Sequence, residues 1–353
     1  MKSYTELRDA IESALRDSTN AVWSTAELDY NITQGLRAIS DYKERLVRIT
    51  YKIETRTGKA TATSSGNLVD SDESQFLSSD TGKRVHNTDD NTWADIISHS
   101  SASQVGLSHD IMANGEAYEI YNKGCWNNRQ FNIEDVEDYV GDNRGIRRIE
   151  FPVGTERNIE FIQGDIVEIA LDIEPDDSAD DDANVDIYVW FNKRHKLSQL
   201  TAFTGAVDLT AGYDKGDISM VIDGLTDDDV IEVDQEFTLA YRPQIYTVTT
   251  AVTVASSEAT VSFYPGLDAD VANDIAVTWV QSTLDRELEE LLIEYIVGKA
   301  LMDEANTHLN AISVGGGSVY KQYLETASFR YNNALRQLQG MARPRPSKIL
   351  PRT

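Results

Sequence analysis

The hydrophobic period of this chain changes twice, and that change limits its fold more than any single motif does. Apolar residues recur at helical spacing at both ends, while the more than two hundred residues between them alternate or form short apolar runs bounded by Gly, Asn, Asp and Ser. Ser3 and Glu6 form a capping box ahead of Tyr4, Leu7, Ile11, Ala14 and Leu15, which predicts a short helix ended by Asn20. Ser24-Thr25-Ala26-Glu27 is a second capping box, and Trp23 and Leu28 hold the two positions of a hydrophobic staple around it. Leu28, Ile32, Leu36 and Ile39 extend one face, so a helix is expected from about Thr25 to Lys43.

From Leu46 to Arg56 the period becomes two, with Val47, Ile49, Tyr51 and Ile53 on one side of a half-buried strand. Further strand-like runs follow, among them KRVHN, WADIIS, AYEIYN, VDIYVWFN, ISMVI, EFTLA, ATVSFY and IAVTWV, a spacing that argues for barrels or sandwiches. Helical spacing returns behind Thr283, the expected N-cap, with Leu284, Leu288, Leu291, Leu292, Tyr295 and Ile296 as the buried face of a helix reaching about Ala305. After Gly315-Gly316-Gly317, Ser318 opens a last helix with Tyr320, Tyr323, Leu324, Ala327, Ala334, Leu335 and Leu338 inside, and Gly340 ends it. Short amphipathic helices cannot bury their stripes alone. The expected fold class is therefore α+β: a discontinuous α-helical bundle from the N- and C-terminal helices with large inserted all-β (barrel or sandwich) domains. The boundaries expected are 1–45 and 283–341 for the bundle, 46–143 for a small β module, 144–282 for a β-sandwich-like domain, and 342–353 for an extended basic arm. The cut at 143 follows the acidic, helix-like NIEDVEDYV.

Charge excludes several functions. The chain holds 32 Lys and Arg against 59 Asp and Glu, a formal net charge of −27, which disfavours a general nucleic-acid binder because phosphates are neutralised by clustered cations. Twenty of the acids lie between Asp165 and Glu236 against four bases, so 16 of the excess charges belong to the insert. The single cysteine, Cys125, forms no intrachain disulfide, and the five histidines are too scattered for a zinc site. The first residues, MKSYTELRDAIESALRD, lack the apolar core of a signal peptide, and no apolar run is long enough to span a membrane.

No sequence motif assigns a catalytic site, a metal or a cofactor, and a non-enzymatic role is expected. The Gly-Lys pairs at Gly58, Gly82 and Gly298 lack the rest of a phosphate loop, and there is no nucleophile elbow or zinc-protease helix. The run from Asp176 to Asp182 offers the oxygen ligands that calcium takes, but lacks the turn glycine and distal glutamate of an EF-hand; a solvated loop is the commoner role of such a block. Cys125 reads as a packed small residue, and His195, between Arg194 and Lys196, as the end of a basic strand with an anion contact open to it. The tail stands apart. Arg343, Arg345, Lys348 and Arg352 carry four positive charges, Pro344, Pro346 and Pro351 favour an extended arm, and Ile349 and Leu350 add an apolar hook. Such an end is either a disordered terminus or an arm that threads into a partner's groove.

VWSTAELDYNITQGLRAISDY at residues 22–42, and the helical hairpin from Leu284 to Leu338, resemble the head-to-tail adaptor (connector) proteins of tailed bacteriophages. Within the insert, ATATSSGNLVD and the run through DTGKRVHNTDDNTWADIISHSSASQVGLS look like a β module of phage virion proteins. AGYDKGDISMVIDGL with FTLAYRPQIYTVTTAVTV resembles a second such pattern. The resemblance implies a virion structural protein at the portal vertex, made in the host cytoplasm and assembled as a homo-oligomeric, dodecameric ring. It implies that Arg343, Arg345, Lys348, Ile349, Leu350 and Arg352 dock on the portal protein. It also implies that the ring attaches a tail tube, nozzle or tail-completion protein and passes genomic DNA through an axial channel without specific binding or membrane contact. Capsid or fibre would meet the β domains. The alternative is a receptor-binding or decoration protein whose β domains bind glycan or host surface.

Overall fold

The computed structural model describes residues 2–54, 56–172, 186–310 and 317–342, with side chains described outside 307–320 and 323. The chain is α+β, 25% helical and 34% strand, and among the described residues its α-helices lie towards the two ends, with only two short 3-10 turns, Ser78–Asp80 and Asn143–Gly145, between them. Helices α1 (Tyr4–Leu15) and α2 (Thr25–Tyr42) both begin on capping boxes, with Ser3 and Ser24 accepting from Glu6 and Glu27 backbone N–H groups. Helix α1 ends one turn earlier than Asn20, at Arg16 in the left-handed region.

The β region forms three units. Strand β1 (Arg45–Lys52) leads into a module built from β2 (Thr57–Lys59), β3 (Ala62–Ser64), β4 (Asn67–Val69), β5 (Arg84–Asn87), β6 (Thr92–Ser101), β7 (Gln104–Leu107) and β8 (Ala117–Tyr121). These seven make one sheet in the order β2-β8-β5-β6-β7-β4-β3 over a core of Leu68, Phe76, Val85, Ile96, Val105 and Ile120. The chain then returns to the unit that β1 began. Strands β9 (Gln130–Asn132), β10 (Ile146–Glu150), β11 (Glu156–Arg157), β12 (Ile159–Gln163), β13 (Ile166–Ile169) and β14 (Asp186–Lys193) form two sheets, β1-β14-β10-β11 and β12-β13-β9. β1 pairs with β14 along its whole length, from Arg45↔Lys193 to Lys52↔Asp186. The third unit is a closed barrel, β15-β16-β21-β19-β18-β22. Its strands are β15 (Thr204–Val207), β16 (Ser219–Asp223), β18 (Glu236–Leu239), β19 (Ile245–Val248), β21 (Glu258–Tyr264) and β22 (Ala276–Trp279), with β17 (Val230–Ile231) and β20 (Val252–Thr253) as a side ribbon. Phe237, Tyr246, Phe263 and Trp279 fill it with ring centroids 5.1–5.5 Å apart.

Three expectations are corrected here. The expected cut between 143 and 144 runs through one core, since Phe131, Ile133 and Val136 pack with Ile146, Ile149, Val47 and Phe191. The span 144–282 is accordingly not one sandwich: β10 to β14 belong with β1, and only 204–279 makes the barrel. NIEDVEDYV is not helical either. Ile133, Val136 and Val140 are buried at helix-like spacing, but Val140 N–H donates to Asn192 O, and Tyr139 bridges Lys193, so its backbone groups bond to the end of β14.

Helix α3 spans Arg286–Asn310 and α4 Gly317–Met341. The expected cap is displaced: Asp285, not Thr283, accepts from the third helical N–H, Leu288, at 2.9 Å. Thr283 Oγ1 accepts instead from Lys196 N–H at 2.7 Å. Leu324, expected inside α4, is exposed, and Gly340 lies within the helix. The tract Asp176 to Asp182, Gly315 and Gly316, and the arm residues Arg343 to Arg352 lie outside the described residues.

Candidate functional site

The four helices share one core, and α3 is its centre. Leu7 and Ile11 of α1, Leu28, Ile32 and Ile39 of α2, and Ala334 and Leu338 of α4 all pack with Leu288, Leu292 and Ile296 of α3. Two glycines permit the close approaches. A Cβ on Gly35 of α2 would stand 2.5 Å from Leu292 Cδ1, and one on Gly298 of α3 would stand 2.7 Å from the backbone nitrogen of Tyr331 in α4. Trp23 enters this core as the staple implies, its Nε1–H donating to Ala300 O at 3.3 Å. Asp17 holds the turn before it, accepting from the N–H groups of Trp23, Val22 and Ala21 at 2.8–2.9 Å. Those bonds hold the Asp17 carboxyl below the usual carboxylate range.

A second feature ties this layer to the β units. β1 opens and β14 closes with a cation on the inward face, Arg45 and Lys193. Arg45 reaches Glu236 of the barrel at 2.5 Å, and Lys193, wholly buried, pairs with Asp234. Lys196 donates to Val233 O and approaches Asp138 and Asp234. His195 follows the end of β14 by two residues, near the strand end expected from sequence. It is buried between carbonyls, Nδ1 lying 2.9 Å from Thr283 O and Nε2 3.0 Å from Lys43 O, and its backbone N–H donates to Ser40 Oγ. Burial, with Arg45 beside it, pushes its pKa down. Arg45, Lys193 and Lys196 already face acids or carbonyls, and the hydroxyls of Ser40 and Thr283 accept from the backbone N–H groups of His195 and Lys196. The junction clamps α2, the start of α3, the central sheet and the barrel together. One sign of it was legible: in DIYVWFNK, Lys193 continues the inward face of Ile187, Val189 and Phe191, where a charge needs a buried partner.

The outer edge of the layer is α4. Phe329 is 74% exposed, and Leu324, Lys321 and Arg336 are exposed along the same helix. Arg330 pairs with Glu294 of α3 at 3.2 Å. The arm residues Arg343, Arg345, Lys348, Ile349, Leu350 and Arg352 follow this helix in sequence. Cys125, by contrast, is a core residue as read from sequence, packed with Tyr121 and Ile166, and burial pushes its thiol up to about 12. Alkylation at pH 8 is expected to leave native Cys125 unmodified and to label it fully in denaturant, read by intact mass. Rapid labelling of the native protein would contradict this burial.

One cleft of about 470 Å³ lies on the inserted module, beside Gly58, Lys59, Asp70 and Tyr118. Its buried Asp70 carboxylate is already satisfied by Tyr118 Oη–H at 2.6 Å and by the N–H groups of Asp72 and Glu73 at 3.1 Å. Among the described residues no cluster of three or more His, Cys, Asp or Glu is placed to hold a metal, and no helix is long and apolar enough to cross a membrane. The chain matches no family model, and no curated protein or solved structure is significantly similar to it.

Proposed function

We propose that this chain is a structural protein of a tailed-phage virion, a head-to-tail adaptor. Copies stand side by side in a ring, dock on the portal through the C-terminal arm, attach the tail and leave an axial channel for DNA. The observation that supports this reading best is the helical layer. Helices α1, α2 and α4 converge on α3, and α4 keeps Phe329 and Leu324 in solvent together with Lys321 and Arg336. Exposed apolar and cationic side chains on an edge helix suit a helix-to-helix contact with another subunit or the portal. Heterologous contacts of this kind close into rings when the rotation suits, and an arm repeated around such a ring gains avidity. The test deletes residues 342–353. The truncated chain should melt like the full chain and no longer join heads to tails, seen as separate heads and tails by negative-stain microscopy. Normal infectious titre from the truncated chain would overturn the docking role.

Tyr241, wholly exposed with φ +65°, and exposed Trp126 favour the second reading, in which the β domains bind a glycan or host surface. A glycan array separates the two. It calls for the full chain, because a fragment beginning at 144 would divide the central core.

A further inference from the structure

Two surfaces of this protein are electrostatically incomplete, and they complement one another. The first is the outer face of β1, β14 and β10. Trp190 lies directly between Arg48 and Arg148 in the register. The Arg148 guanidinium sits 3.9 Å over the Trp190 ring, and that of Arg48 sits 4.3 Å over Tyr188. A bulge in β10 inserts Arg147, so two consecutive arginines are exposed on that strand. Arg148 reaches Glu150 at 3.1 Å, but among the described residues no carboxylate pairs with Arg48 or Arg147. Stacking leaves the guanidinium edges pre-ordered for bidentate contact with carboxylates.

The second surface is the barrel wall centred on β16. The central unit meets the barrel through Arg45 to Glu236 of β18, Thr50 to Gln244 just before β19, and Tyr264 at the last position of β21, whereas Glu258 is at the first position of β21, and β16 lies three strands from β18 in the closed order. Asp223 of β16 and Glu258 of β21 are directly paired across strands, and both point outward because Ile222 and Ala259 beside them are buried. Like charges placed opposite one another destabilise a sheet unless a cation answers them. Asp227 and Asp228 are exposed in the turn beyond β16, and no Lys or Arg occurs between 216 and 241.

We propose that copies of this chain meet head to tail, with the face of Arg48, Arg147 and Arg148 of one copy seated on the Asp223–Glu258 wall of the next. The inference rests on the ring reading above and adds a β-domain contact to it. It also removes a physical difficulty. Copies carrying −27 each repel one another, and association needs a cationic face turned toward a neighbour's acids. The two surfaces are different patches of the chain, so a contact between them is heterologous, as a ring needs.

The test is sedimentation velocity of the full chain, with melting curves to verify folding of each variant. The wild-type chain should form one closed oligomer that loosens towards about 1 M salt, where the screening length is about 3 Å. Arg48→Glu with Arg147→Glu, or Asp223→Lys with Glu258→Lys, should each weaken association at least ~tenfold. Mixing the two variants one to one should restore the oligomer, because each altered face then meets an opposite charge. If the folded variants assemble like wild type, the contact is wrong while the adaptor reading stands. If wild type stays monomeric at every salt concentration, both fall. A 20-base-pair duplex that binds wild type and not the arginine variant, with the oligomer intact, would assign the face to nucleic acid and overturn the proposal.

Discussion

Replacing Arg56 with methionine is expected to destabilise the protein by about 3–5 kcal/mol, because it leaves a buried carboxylate without its cation. Arg56 lies where the inserted module joins the central unit. Its Nη2 reaches Asp80 at 2.5 Å, its Nε reaches Glu54 at 2.8 Å, and its Nη1 donates to Gln75 O at 2.6 Å. Lys83 is the second cation, contacting Glu54 and lying 3.0 Å from Asp80. Asp80 has no exposed surface. Burial alone would push both carboxyls up, yet the two cations outweigh it and hold Glu54 and Asp80 below the usual carboxylate range. The sign of the pH effect follows. For carboxyls depressed in the folded state, the stabilisation is complete above the unfolded value near pH 4 and is lost as pH falls through the folded value. In Arg56→Met, Lys83 alone faces two carboxylates, burial prevails for one of them, and its folded pKa rises. The variant should therefore recover stability relative to wild type between pH 7 and pH 5. Urea unfolding across that range measures it, and parallel pH profiles with a loss under about 1 kcal/mol would show the cluster to be a weak surface network.

Gly298→Val is expected to cost about 3 kcal/mol by pushing α4 off α3. The added Cβ would meet backbone atoms of Tyr331, at 2.7 Å from the nitrogen and 3.0 Å from Cα, and a helix backbone cannot turn aside as a side-chain tip can. Alanine at 298 makes the same first contact while gaining about 1 kcal/mol of helix propensity, so its loss should be smaller. Gly340→Ala provides the contrast. Nothing lies within 4 Å of that position, and the change should stabilise α4 by up to about 1 kcal/mol. Thermal melts of the three variants give the order. If valine at 298 is tolerated as well as alanine at 340, the helices do not approach as closely as described.

Much of the helical layer was legible before the structure. Both capping boxes, the Trp23 staple and the inward stripe of α3 depend on residues within about four positions of one another. Strand positions were legible for the same reason: alternation in LVRITYKIETR or VDIYVWFN marks an inward face without reference to any partner. The misreadings arose where the decisive partner is distant. Thr283 has the composition of a helix cap, but Lys196 captures its hydroxyl, and Asp285 caps instead. Ile133, Val136 and Val140 have helical spacing, but the end of β14 takes the backbone bonds of their segment.

The amino-acid sequence by itself determined where α1 and α2 begin, which strand faces turn inward, that Cys125 is packed, and that most of the excess acid lies between 165 and 236. Only the tertiary structure decided that β1 pairs with a strand about 140 residues later, that 204–279 closes into a barrel, and that Lys193 and Asp234 neutralise one another inside the molecule. The physical reason is range. Caps and periodicity act through neighbouring residues, whereas strand order, sheet closure and the pairing of buried charges are selected by contacts that exist only after distant segments meet.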